Sequence, residues 1–96
     1  MTDVEQEIAA AAKEKKPFFI NANICDPHRP FISVKAQGDE LAGARVFKPH
    51  EVTVPAFLED LPRVREEVAQ YHSSVSRFDV TFGLLLKELT DSGRDA

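Results

Sequence analysis

The chain has no tryptophan, and only one cysteine, one methionine, one tyrosine and four glycines in 96 residues. Each scarcity closes off a class of answer. A lone Cys25 cannot form an intrachain disulfide, and the charged Met1–Glu7 start carries no secretory apolar stretch, so the sequence reads as cytoplasmic. The longest apolar stretch, around Phe18–Cys25, falls far short of the roughly 20 residues a bilayer-spanning helix needs. No lipidation signal is visible. Gly38 and Gly43 lack the spacing and the following Lys-Ser/Thr of a phosphate-cradling loop.

Chemistry-bearing clusters are equally sparse. Cys25, His28 and His50 do not make the four-ligand set of a structural zinc site. Cys25 with His28 offers a thiol and an imidazole, but a nucleophile pair also needs an orienting group and a pocket, and Asp26 is merely adjacent in sequence. The expectation is therefore a non-enzymatic protein with no catalytic residues, no metal and no cofactor.

What the chain does have is a repeat of apolar residues. Phe57, Leu61, Val64, Val68, Tyr71, Val75, Phe78, Phe82, Leu85 and Leu89 follow one another at alternating steps of four and three, which puts them on one stripe of an α-helix. Pro62 fits only a first helical turn, with Asp60 as a plausible N-cap, so the main helix is expected from Pro62 onward, after a short helical turn over 56–61. Unbroken to Thr90 it would be roughly 43 Å long, against a radius of gyration of about 12–13 Å for a domain this size. A break near His72-Ser73-Ser74, or at Gly83, would instead give two helices. Either way the stripe points to self-association, with Val64, Val68, Tyr71, Val75, Phe78, Phe82, Leu85 and Leu89 as dimer-interface candidates. Aromatic residues on the seam suit a globular interface better than a slender coiled coil.

Upstream the pattern differs. Thr2 and Glu5 form a capping-box pattern ahead of Val4, Ile8 and an alanine run, which predicts an N-terminal helix stopped by Pro17. From Phe18 the period becomes two: Phe18, Ile20, Ala22 and Ile24 against Phe19, Asn21, Asn23 and Cys25. Ile32, Val34 and Ala36 continue the alternation beyond the Asp26–Pro30 turn, then Ala42, Ala44 and Val46 beyond the Gln37–Glu40 turn, with Val52 and Val54 as a short fourth run. Short connections favour an antiparallel meander. The predicted fold is α+β in a single domain over 1–96: an N-terminal helix (1–16), a β-meander of three to four strands (17–55), a helical region (56–90) and a disordered tail (91–96).

The net charge of −4 argues against wholesale nucleic-acid coating but conceals a division. Residues 13–50 carry seven Lys/Arg against four acids, whereas residues 51–96 carry five against nine. On a sheet, Phe19, Arg29, Phe31, Lys35, Arg45, Phe47 and Lys48 would supply interleaved rings and cations, as single-strand recognition requires. The layout over Phe31 to Val68, with Glu51-Val52-Thr53-Val54-Pro55 as a last strand entering the helix, loosely resembles the positive-cofactor-four family of single-strand-binding transcription regulators, although that family's aromatic and glycine landmarks do not occur here. The resemblance implies a dimer with nucleic acid on its sheet. The other surface is acidic: Glu59, Asp60, Glu66 and Glu67, with Glu88 further on, would face a basic partner protein. The leading expectation is a small regulatory or inhibitory protein that binds a partner protein as a homodimer, away from membranes. Single-stranded nucleic-acid binding is the alternative.

Overall fold

The computed structural model describes residues 3–31 and 43–94. They form two α-helices, α1 (Asp3–Lys13) and α2 (Pro62–Asp91), with a 3-10 turn over Pro49–Glu51 between them. This overturns the α+β expectation, because there is no β-strand among the described residues. The predicted strand over 31–36, the Gln37–Glu40 turn and Ala42 lie outside them, as does the Thr2 half of the capping box. The stretches 18–25, 44–48 and 52–54 are described and carry no strand.

The alternation still has a physical meaning. Phe18, Ile20 and Ile24 are half-buried, while Phe19, Asn21, Asn23 and Cys25 are exposed, as is Ala22, the one small residue of the expected inward set. A period of two specifies a segment with one face against protein; a sheet also needs a neighbouring strand to complete its ladder. The sequence pattern contained the first requirement and not the second.

The chain divides into two compact units, residues 1–24 with 81–96, and residues 25–80. In the first, α1 buries Ile8 at 5% exposure. Its C-terminus closes with Lys16 N–H donating to Ala11 C=O (3.0 Å) and Lys15 N–H to Ala12 C=O (3.1 Å), with Lys15 at φ 56°. This is the left-handed closing motif that glycine usually supplies. Gly93, at φ 72°, fills the same role after α2, and Arg94 then donates to Lys16 C=O (2.7 Å) with its guanidinium over the Phe18 ring.

In the second unit the buried face of α2 is made of small residues: Ala69 and Ser73 are fully buried and Ser74 is 2% exposed. Ser73 Oγ donates to Ala69 C=O (2.8 Å) and Ser74 Oγ to Gln70 C=O (3.0 Å). These back-bonds satisfy the hydroxyls inside the helix, and α2 runs unbroken through the point where serine propensity favoured a break. Small side chains also let an extended segment approach closely. Phe47 N–H donates to Ser73 Oγ (2.8 Å) and Arg45 N–H to Ser76 Oγ (2.7 Å).

The start of α2 is held by Arg65. Its guanidinium forks onto Asp60, with Nε to Oδ1 at 2.5 Å and Nη2 to Oδ2 at 2.8 Å, and Nη1 reaches Val52 C=O at 2.9 Å. Asp60, expected as the N-cap, thus receives a side chain from the first turns of α2. The 56–61 stretch, expected as a helical turn, is one hydrogen-bonded turn, Leu58 N–H to Pro55 C=O, followed by irregular backbone.

The hydrogen bonds from Arg65 hold the Asp60 carboxyl below its ordinary range, and those from Arg29 do the same for Glu67. A carboxyl depressed by folding binds protons more tightly when unfolded. The stability it contributes is present above its unfolded pKa, near 4, and is lost as the pH falls through the folded value. Acid titration followed at 222 nm is expected to show a fall in urea midpoint below about pH 4, shallower in Asp60→Asn. Equal acid slopes in the two proteins would exclude this pair as a cause.

Candidate functional site

Chemistry concentrates in the turn from Cys25 to Pro30. The extended segment before it ends at Cys25, whose carbonyl accepts from His28 N–H (2.8 Å). The Asp26–Pro27 and Arg29–Pro30 peptide bonds are both cis. Pro27 and Pro30 fix their own φ, and Pro30 restricts Arg29 before it. The His28 ring is exposed, and its Nδ1 lies 2.5 Å from Arg29 C=O. A carbonyl only accepts, so Nδ1 carries the hydrogen, and Nε2 is left as the nitrogen available for proton transfer.

Two contacts tie the turn to α2. Arg29 meets Glu67 as a fork, with Nη2 to Oε2 at 3.0 Å and Nη1 to Oε1 at 3.4 Å, and the hydrogen bond raises the arginine's pKa further. The Arg29 guanidinium also lies 4.7 Å from the Phe31 ring centroid, and Phe31 lies 5.8 Å from Tyr71. At the other end, Arg77 Nε is 3.3 Å from Asp26 Oδ2. Glu67 and Arg77 are about 15 Å apart along the helix axis. The helix therefore acts as a rigid bracket for the turn.

A concavity of about 520 Å³ opens elsewhere, between Arg45 and Phe47 on one side and Tyr71, His72 and Asp79 on the other. Arg45 lies over the Phe47 ring at 4.1 Å and pairs with Glu51 at 3.2 Å, while Phe47 meets His72 edge-on at 5.5 Å.

The residues singled out as nucleic-acid candidates do not share a sheet face. Phe19 is 93% exposed in the first unit; Arg29, Phe31, Arg45, Phe47 and Lys48 belong to the second; Lys35 lies outside the described residues. Arg29 and Arg45 each face a carboxylate. Of the acidic candidates, Asp60 and Glu67 hold arginines, while Glu59 and Glu66 are exposed. On the heptad stripe Val64, Val68, Leu85 and Leu89 are half-buried, and Tyr71, Val75, Phe78 and Phe82 are 44%, 39%, 38% and 46% exposed. Among the described residues no three His, Cys, Asp or Glu side chains gather as they would around a metal ion. No described helix is long and apolar enough to cross a membrane.

Arg77 and the tether role of Glu67 escaped sequence reasoning. Their partners lie far away along the chain, and a long-range ion pair leaves no local periodicity or motif. The one available signal was the chemistry of the turn itself, where an acid, an imidazole and a guanidinium fall within four residues.

No protein-family model and no solved structure matches the chain. It is 29% identical over 96 residues to N-sulphoglucosamine sulphohydrolase of Homo sapiens, a similarity that takes in 84% of this chain and 19% of that protein. The chain thus spans about one fifth of the length of the curated relative it matches.

Proposed function

We propose that this chain forms part of a hydrolase that acts on a sulphated amino sugar, with the Cys25–Pro30 turn contributing to its active site. The observation that carries this reading is the similarity to a sulphohydrolase over most of the chain. The chemistry of the turn supports it. Hydrolysis of an N-sulpho group breaks the N–S bond: water adds to sulfur, the amine leaves with a proton, and sulfate is released. An exposed imidazole whose Nδ1–H is engaged can take up a proton at Nε2, deliver it to the leaving nitrogen and recover one from the water that adds to sulfur. His28 has this arrangement, with Nδ1 on Arg29 C=O and Nε2 free.

The test is direct. Full-length protein incubated with N-sulphoglucosamine is expected to release inorganic sulfate, measured by ion chromatography. No release above the uncatalysed rate, across several sulphated sugars, would sink the hydrolase reading.

A second reading keeps the partner-binding regulator acting as a homodimer. It is favoured by the exposed apolar stripe of α2, since Tyr71 and Val75 are more than a third accessible. Aromatic and aliphatic side chains exposed along one helix face are the usual composition of an interface core. Light scattering is expected to give twice the chain mass, and Phe78→Asp is expected to return the monomer. A monomer at tens of micromolar, or a dimer indifferent to Phe78→Asp, would defeat this reading.

A further inference from the structure

We infer that Arg77 is a positioning residue for His28, acting through Asp26. The role of His28 rests on the hydrolase reading; the way it is held rests on geometry alone. Arg77 Nε is shut off from solvent and lies 3.3 Å from Asp26 Oδ2, with the two side chains 15% and 21% exposed. The other tether, Arg29 to Glu67, has side chains 64% and 59% exposed. Solvent and salt screen an open pair and leave it little power to fix a position, whereas an enclosed pair keeps its attraction. The enclosed tether therefore sets where the turn sits.

Its effect reaches the imidazole in three short steps. Arg77 holds the Asp26 side chain against α2. Asp26 lies inside the turn closed by His28 N–H on Cys25 C=O at 2.8 Å. With that turn fixed, Arg29 C=O stays where His28 Nδ1–H can reach it, and Nε2 keeps one direction and one protonation pattern. Arg77 touches no reacting atom in this scheme. Its contribution is the pre-orientation of a proton-transfer group by a neighbour that takes no part in the chemistry.

The test uses full-length protein labelled with 15N-histidine, with the His28 signals assigned through His28→Gln. Long-range 1H–15N correlations are expected to show the Nδ1–H form of His28 in the native protein, a mixture of both forms in Arg77→Gln and Asp26→Asn, and the native form again in Arg77→Lys. Circular dichroism at 222 nm checks that each variant is folded, and Asp26→Asn decides the matter if Arg77→Gln is not. In sulfate release, kcat is expected to fall about 10- to 100-fold in Arg77→Gln with KM little changed, because a small misplacement of a reacting group has effects of this order. A native His28 pattern in folded Arg77→Gln or Asp26→Asn overturns the positioning role. Absence of hydrolysis by the native protein overturns the hydrolase reading alone, since the ring measurement still decides whether Arg77 orients His28.

Discussion

Ser73→Ala is expected to destabilise the protein by about 1–3 kcal/mol, the cost of leaving a buried donor without its acceptor. Ser73 is fully buried, and its hydroxyl accepts from Phe47 N–H while donating to Ala69 C=O. Alanine removes both bonds and leaves the Phe47 amide facing a methyl group. Ser76→Ala removes the bond to Arg45 N–H, where exposure lets water substitute, and is expected to cost less. Urea denaturation should show a lower midpoint for Ser73→Ala at unchanged slope. Hydrogen exchange gives the local readout: the Phe47 amide should exchange roughly 10- to 100-fold faster relative to its neighbours. An unchanged Phe47 exchange rate would mean that the serine does not hold this segment.

His28→Gln carries the other large effect. On the hydrolase reading, the variant keeps a side chain of similar reach that can still hydrogen-bond, but it cannot transfer a proton. Positioned acid–base groups typically contribute about 100- to 10,000-fold, and kcat/KM for sulfate release should fall by that order. Substrates differing in leaving group separate proton delivery from binding. A substrate that leaves as a stable anion needs little help from an acid, so the variant should recover much of its rate on an aryl sulfate. An equal loss on both substrates would assign His28 to binding rather than to proton delivery.

The legible parts of the molecule were those written in local spacing. Pro62 marks the start of α2 because its ring excludes any deeper position, and the four-three steps from Leu61 to Leu89 describe one face of that helix. The face that packs closest, however, is the row of Ala69, Ser73 and Ser74. Small residues have no hydropathy signal, and serine's low helix propensity pointed to a break, whereas back-bonding to Ala69 and Gln70 removes the reason for one. The sheet expectation failed for a related reason. Alternation at Phe18–Ile24 reports which side chains are covered, and pairing depends on chain elsewhere. At the candidate site, Cys25, Asp26 and His28 were visible as a cluster, but a turn sequence does not contain the arginine that fixes it.

The two serine acceptors have a mechanical consequence for the segment they hold. Arg45 and Phe47 present N–H groups two residues apart, to hydroxyls three residues apart on α2, with the lower-numbered amide on the higher-numbered serine. Along an extended backbone, residues two apart point the same way and the one between points away. Sliding by one residue would bring Val46, whose amide points away from α2, opposite a serine and release both bonds together. The contact works as a vernier: its bonds survive any residue but proline at 45 and 47, because main-chain N–H groups make them, yet it rejects a one-residue insertion or deletion between them. At this contact the spacing of the backbone is constrained more tightly than the identity of the side chains.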